Sequence, residues 1–308
     1  MTEISQTNNG ANESPTFRII ALTTCHNRRK ATLTSLSDLH NQALPDDVSL
    51  AITMVDDGST DGTSEAVQQM FPLVEILHGT GSLYWAGGMR YGWNESVKDK
   101  LFDALLVFND DIHLDKHAIC ELVNSSRTVN RESGQLHAVT GGFTDREGKV
   151  NTYGGFLRSS RWHPLRFKQV TPTGMLQQID TLNMNFSLIT ADALRKVGFL
   201  APYFQHNAAD IEFGLRLCKA GGRVILAPSP VGWCDRNGQI GTSLESGIPT
   251  LQRWRRLISV KEQPPLQRAR YFGEHGGWYW PLFWATPYLR VWIDSIFRAI
   301  SLSNNRAD

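Results

Sequence analysis

The sequence predicts an α/β protein built on a mostly parallel sheet flanked by helices. Two observations carry this, and a third excludes a metal- or disulfide-stapled scaffold. Short apolar runs alternate with helix-period segments through the first half of the chain, the pattern of repeated βαβ units. Clusters of Asp, Asn and Gly follow directly on the apolar runs, as loops at the carboxyl ends of parallel strands do. The cysteines, Cys25, Cys120, Cys218 and Cys234, form no CxxC pair, so no zinc or disulfide framework is expected.

The elements follow in order. Phe17–Thr23 (FRIIALT) is a buried-strand run, and Thr24 to Arg28 form the polar cluster after it. A helix is predicted over Arg29–Leu39, and a second strand over Val48–Val55. The turn cluster DDGSTDG follows that strand, then a helix over Thr63–Phe71 and a short strand over Leu73–Leu77. Gly87–Lys100 is helical, Ala104–Phe108 (ALLVF) a buried strand ending in Asn109-Asp110-Asp111, and Lys116–Val129 a helix. The second half is less regular. Leu136–Thr140 and Ile179–Ile189 read as strands on either side of loop and hairpin, and Ala191–Val197 as a short helix. Asp210–Ala220 is a helix stopped at Gly221-Gly222, and Val224–Ala227 a last strand.

Composition narrows the function classes. With 308 residues, 41% hydrophobic and 20% charged, the chain can bury a sizeable core, and a net charge of +1 gives no reason to expect nucleic acid. Charge is unevenly spread: residues 236–308 carry a net +5 and five of the nine tryptophans (Trp254, Trp278, Trp280, Trp284, Trp292), while the rest carries a net −4. A basic, Trp-rich extension on an acidic body points to an anionic surface, most simply a membrane face. Residues 1–16 are polar, lack the apolar core of a signal peptide and read as a disordered leader. No run reaches the roughly 20 apolar residues that span a bilayer. Unpaired cysteines fit a reducing compartment, so a cytoplasmic protein is expected, peripheral on the inner face of the membrane if the extension binds there. Three parts result: a leader (1–16), a catalytic domain (17–235) and an extension (236–308).

The chemistry sits in the strand-end clusters. Asp110 and Asp111 directly after a buried strand are costly unless ionised and paired. A hard cation, Mg²⁺ or Mn²⁺, shared with a diphosphate satisfies them; a solvated turn capping the next helix is the plain alternative. In VDDGSTDGT (55–63), Asp56 and Asp57 end a strand where a carboxylate can accept from a nucleobase N–H or a ribose hydroxyl. Asp61 caps the following helix. Asp210 opens a helix that carries Glu212 and Arg216. Gly87 and Gly88 let backbone approach a pyrophosphate, Trp85 offers a platform for a sugar face or packs in the core, and Arg90 neutralises phosphate or lies on a solvated face. His206 and Asn207, just before Asp210, contact an acceptor or make structural hydrogen bonds; His113 and His117 read as surface positions.

The ordered set resembles the family 2 inverting glycosyltransferases, a group with the Rossmann-like GT-A fold that includes bacterial polysaccharide and rhamnosyl transferases. Thr24-Cys25-His26-Asn27-Arg28 is similar to its first-strand loop, residues 55–61 to its V-D-D-G-S-x-D string, Asn109-Asp110-Asp111 to its DXD-like element, and residues 209–216 to its acidic base segment, across roughly residues 17–230. The resemblance implies a nucleotide-sugar donor, UDP- or dTDP-linked, and a glycan or lipid-linked acceptor. It places Asp57 on the base, Asp56 or Asp110 on the ribose side, His26 near the base, Asp111 on the metal and Asp210 as general base. Two positions depart from it. Ala209 stands where relatives carry Glu, and the late His is absent from Gly232-Trp233-Cys234-Asp235-Arg236-Asn237, where Asp235 or Arg236 is the expected substitute. The competing readings are a nucleotidyltransferase, which should carry a Gly-rich loop where Thr24–Arg28 has none, and a non-catalytic membrane-associated module.

In the extension, Pro281 and Pro287 are expected to break any long helix. A helix from Tyr288 would set Leu289, Trp292, Ile293, Ile296 and Ile300 on one face and Arg290, Asp294 and Arg298 on the other, an interfacial pattern or a packing face.

Overall fold

A computed structural model describes residues 17–304 apart from 99, 135 and 237, with side chains as far as 294. The predicted leader, and the side chains of Ile296, Arg298 and Ile300, lie outside the described residues.

The chain opens with strand β1 (Phe17–Cys25), helix α1 (Arg29–His40), β2 (Val48–Asp56), α2 (Thr63–Met70), β3 (Glu75–His78), α3 (Tyr84–Ser96) and β4 (Ala104–Phe108). It continues through β5 (His113–Leu114), α4 (Ala118–Ser133), β6 (His137–Thr144), β7 (Asn151–Tyr153), β8 (Gly155–Arg158), β9 (Phe167–Val170), β10 (Gln177–Ile179), β11 (Thr181–Leu182) and β12 (Phe186–Thr190). It ends with α5 (Ala191–Val197), α6 (Ala209–Lys219), β13 (Arg223–Trp233), α7 (Thr250–Leu257), α8 (Pro265–His275) and α9 (Trp280–Asn304).

The main sheet runs β10-β13-β6-β12-β4-β1-β2-β3, with β5 on β13 and β7 on β6. β3, β2, β1 and β4 are mutually parallel, β12 lies antiparallel between β4 and β6, and β6 and β13 are parallel. All five residues of ALLVF in β4 are buried, as a strand covered on both faces requires. The chain leaves β1 toward β2 and β3 on one side, then returns to place β4 on the other. The carboxyl ends of β1 and β4 therefore flank the point where strand order reverses, the usual ligand crevice of an open α/β sheet.

One apolar cluster covers one face of the sheet with Leu36 and Leu39 of α1, Val67 of α2 and Ile119 and Leu122 of α4. The other face is covered by Met89 of α3, Leu194 of α5, Phe213 of α6 and, from the extension, Tyr271 and Phe272 of α8. The extension is thus built into the core of the catalytic body.

Three expectations need correction. Ile179–Ile189 is not one strand: Asp180 and the Asn183-Met184-Asn185 turn divide it into β10, β11 and β12. His113 is not simply on the surface: it is half-buried in β5, its ring stacked on Trp233 at 3.7 Å. The prolines do not break α9. Pro281 occupies the first turn, where no intrahelical donor is needed. Pro287 removes the amide that would bond the Phe283 carbonyl, but Arg268 Nη2 (3.0 Å) and Thr286 Oγ1 (2.7 Å) donate there instead, and Arg268 Nε reaches the Trp284 carbonyl at 3.2 Å.

Candidate active site

A cleft of about 440 Å³ opens at the carboxyl ends of β1, β2 and β4, lined by Thr24, Cys25, His26, Arg28, Asp57, Gly81, Tyr84, Trp85, Asp110, His206 and Lys261. Among the described residues, the three non-glycine residues with left-handed backbone all stand at this cleft or its approaches: Asn27 (φ 53°), Tyr84 (φ 57°) and Ala208 (φ 67°). Such conformations cost about 1–3 kcal/mol where the side chain resists them, and they gather where geometry is held for function.

The β2 end is organised by its two aspartates, which do different jobs. Asp57 accepts from three backbone amides, Gly81 (2.8 Å), Leu83 (2.9 Å) and Tyr84 (3.1 Å), and so folds the loop after β3 around itself. Gly79 is needed there because a Cβ would come within 2.7 Å of Asp57 Oδ1. One lone pair of Asp57 remains for a ligand. Of the two residues expected on the ribose side, Asp110 lines the cleft and Asp56 does not. Asp56 turns into its own loop, where Ser59 N (2.8 Å) and the Ser64 hydroxyl occupy both oxygens. Asp61 receives Arg29 N at 3.0 Å and Thr63 N at 3.2 Å, tying the starts of α1 and α2 together. Asn27 accepts from Thr60 N (2.7 Å), and His26 Nδ1 donates to the Asp57 carbonyl at 2.7 Å. His26 thus stands beside Asp57, while Asn27 acts as a brace between two loops.

At the β4 end, Arg28 bridges the two carboxylates, with Nη1 3.2 Å from Asp110 and Nη2 2.7 Å from Asp111. Burial raises the Asp110 pKa to about 6; Arg28 opposes the rise and Asp111 adds to it. Burial works against the Arg28 charge, but the two carboxylates outweigh it and raise its pKa. The guanidinium marks where a cation is favourable. Two hard oxygen donors beside an open cleft suit Mg²⁺ or Mn²⁺ completed by phosphate oxygens, so the residues fit such an ion. Cys234 lies against this group, its Sγ 3.6 Å from the Asp111 carbonyl. Burial and the nearby carboxylates push its thiol up to about 12, and soft sulfur is a poor match for a hard cation such as Mg²⁺ or Mn²⁺. Asp235 and Arg236 do not replace the missing His: Asp235 faces Arg146 N, and Arg236 bonds Asn151 O (3.0 Å) and Gln169 Oε1 (2.7 Å).

The α3 stretch departs from what its sequence predicts. Helix α3 begins at Tyr84, before Gly87, and its first amides are already taken: Tyr84 N by Asp57, Ala86 N and Gly87 N by the Gln205 carbonyl at 3.0 and 3.3 Å. Gly87 and Gly88 therefore do not open backbone to a pyrophosphate. Gly88 serves packing, since a Cβ would collide with Thr24 Oγ1. Arg90 is neither on a solvated face nor free for phosphate; it holds the Ala201 (3.2 Å) and Phe204 carbonyls, and burial lowers its pKa. Trp85 lines the cleft with its indole fixed by Asn109 Oδ1 at 3.0 Å, which also defines what Asn109 does.

Asp210 stands in the first turn of α6, outside the cleft lining but two residues past the Ala208 turn that leads from His206. It accepts from Asn183 Nδ2 (3.1 Å) and Ile211 N (2.8 Å), and burial raises its pKa, the direction a general base needs. Glu212 is engaged elsewhere: fully buried, it pairs with Arg216 at 2.8 and 3.0 Å and with His275 at 3.5 Å. His206 lies edge-on to Tyr84, with its pKa lowered by burial and by Lys261.

Four residues at or beside the site are not singled out by the sequence. Asn185 receives Asn109 N on its carbonyl at 3.0 Å, and Asn183 holds Asp210, so one turn links the β4 cluster to α6. Two asparagines interrupting an apolar run are the signal that could have found them. Tyr84 and Lys261 have none beyond a loop position and a basic segment.

Residues 21–184 match the profile described as Glycosyl transferase family 2, and residues 184–303 that of Glycosyl transferase family group 2. No curated protein sequence matches the chain. Similar solved structures include GalNAc-T7 with UDP, GalNAc and Mn²⁺ (TM-score 0.56, 14% identity, 82% of this chain and 50% of that one). The mannosyltransferase PcManGT from Pyrobaculum calidifontis in complex with GDP-Man and Mn²⁺ is another (TM-score 0.52, 19% identity, 96% and 81%). This chain thus spans half the length of GalNAc-T7, and at these identities the likeness shows the fold alone. With more than half of its residues inside the family profile and a sheet of the GT-A type, the chain belongs to glycosyl transferase family 2.

Proposed function

We propose that this chain moves a sugar from a nucleotide-sugar donor to a hydroxyl of a glycan or lipid-linked acceptor, with inversion at the anomeric carbon. The observation that carries the reading is the meeting of the β1, β2 and β4 ends in one cleft, with Asp110 and Asp111 gathered around a single cationic position. Asp57 and its loop hold the base side, and Trp85, fixed by Asn109, presents its ring to the sugar. A divalent cation held by Asp111 and Asp110 supplies charge compensation at the diphosphate when bound. Asp210 takes the proton of the acceptor hydroxyl as its oxygen attacks, and no enzymic nucleophile is required. GalNAc-T7 binds UDP and PcManGT binds GDP-Man, so UDP-, dTDP- and GDP-linked sugars form the test panel. The expected outcome is Mg²⁺- or Mn²⁺-dependent turnover of one donor, abolished by EDTA and by Asp111→Ala. Full activity in EDTA would sink the metal role, and a retained anomer in the product NMR would reject single displacement.

The acceptor side is read from the extension. Trp278 (98% exposed), Leu282, Leu289, Trp292 and Ile293 stand open to solvent with Arg290 exposed among them. Among the described residues no helix is long and apolar enough to cross a membrane. An anionic lipid surface is the partner this mixture of aromatic rings and positive charge fits.

A further inference from the structure

Among the described residues, the charged groups lining the cleft are Asp57, Asp110, Arg28 and Lys261. Three of these already have partners within the protein. Asp57 is wrapped by the amides of Gly81, Leu83 and Tyr84. Asp110 and Arg28 are paired with each other, and Arg28 with Asp111 as well. Lys261 is exposed on the cleft wall, and no carboxylate among the described residues stands within ion-pair distance of it. It comes from the turn between α7 and α8, far along the chain from the strand ends.

That turn is fixed against the cleft. Asn207 Nδ2 donates to the Glu262 carbonyl at 3.3 Å, and Gln267 Nε2 returns to the Asn207 carbonyl at 3.3 Å. The Glu262 carboxylate accepts from Ser243 N at 2.7 Å, and the Tyr288 hydroxyl donates to the Gln263 carbonyl at 2.8 Å. The backbone just after Lys261 is therefore tied to the loop carrying His206, and Lys261 joins His206, Arg28 and Asp110 in lining the cleft. His206 beside it has its pKa lowered by burial and by this charge, and its buried Nδ1 has no partner among the described residues. A positive charge held this way is complemented by an anion inside the cleft.

We propose that Lys261 binds phosphate oxygens of the nucleoside diphosphate, so that the C-terminal extension supplies one side of the donor site. The assignment rests on the donor-cleft reading above. Lysine suits this role, since a compact ammonium with three donors grips a phosphate without demanding one orientation. It acts on the diphosphate and not on the nucleoside, which separates it from the Asp57 end of the cleft.

Titration calorimetry with UDP, dTDP and GDP, in Mg²⁺, tests this on the full-length protein, with uridine, thymidine and guanosine followed by ligand-observed NMR. Lys261→Met should weaken the bound diphosphate about 10- to 100-fold, the usual worth of a charge-assisted hydrogen bond, and leave the nucleoside unchanged. Lys261→Arg should restore most of the loss. Unchanged diphosphate affinity in Lys261→Met would overturn the assignment, and so would an equal loss for nucleoside and diphosphate, which marks a collapsed turn. If the unsubstituted protein binds none of UDP, dTDP and GDP, the donor-cleft reading itself falls, and Lys261 with it.

Discussion

Asp210 is where one substitution separates binding from chemistry. Asp210→Asn keeps the shape and the Asn183 and Ile211 contacts within reach but removes the basicity. Transfer should fall about 10²–10⁴-fold, with nucleotide affinity nearly unchanged; Asp57→Asn should show the reverse balance. The pKa of Asp210 is raised by burial, so activity should drop as pH falls through that raised value, and the Asn variant should lose this limb. Stability runs the other way. The folded state binds the Asp210 proton more tightly than the unfolded state, so stability is lost as pH rises from the ordinary aspartate value through the raised one. The Asn variant should therefore melt higher than the parent at pH 7, with the difference closing below the ordinary carboxylate range. An unchanged rate would place the base elsewhere. At this scale the sequence is informative where chemistry demands a residue type at a strand end, as at Asp57, Asp110 and Asp111. It is silent about orientation: Asp56 and Asp57 are adjacent and equally acidic, yet alternate strand direction and the Ser59–Ser64 turn send one inward and leave one in the cleft.

Element periodicity makes β1, β2, β4 and their helices legible, because a strand buried on both faces is a continuous apolar run and a one-faced helix is not. Pro287 fails as a breaker for a reason no local rule contains. Arg268, 19 residues earlier, donates to the Phe283 and Trp284 carbonyls that the proline and its bend set free, while its guanidinium lies 4.0 Å over the Phe272 ring. Arg268→Met keeps the stem but leaves the Trp284 carbonyl without the Arg268 donor and the Phe283 carbonyl with Thr286 Oγ1 alone. It should cost about 1–3 kcal/mol in urea unfolding, and Pro287→Ala, which returns an amide to Phe283, should reduce that loss in the double variant. Additive effects would show that Arg268 does not compensate the proline.

For the whole molecule, the question is what the extension touches. Tyr271 and Phe272 belong to the core, and Trp280, Phe283 and Trp284 pack against it, so removal of residues 278–308 would strip part of that core. Substituting the exposed face is the cleaner probe. Leu289→Ser, Trp292→Ser and Ile293→Ser together should leave the melting temperature within a few degrees, since scattered surface changes cost about 0.5 kcal/mol or less each. They should also abolish sedimentation with anionic liposomes at low salt. If the parent protein does not sediment with such vesicles, that face packs against another protein surface. The composition shift at 236 marks the extension as a separate part. It cannot show that Phe213 on α6 and Phe272 on α8 share one apolar cluster, because contacts between distant segments leave no periodic trace in either. The consequence reaches any attempt to recombine this enzyme with a relative. A graft joined at residue 235 would carry a hydrophobic wall with no cover, and the recipient's own tail would have to match it residue for residue. The unit that can be exchanged intact runs through α8 and into the first turns of α9, so the cleft and the helices beyond residue 235 are inherited together.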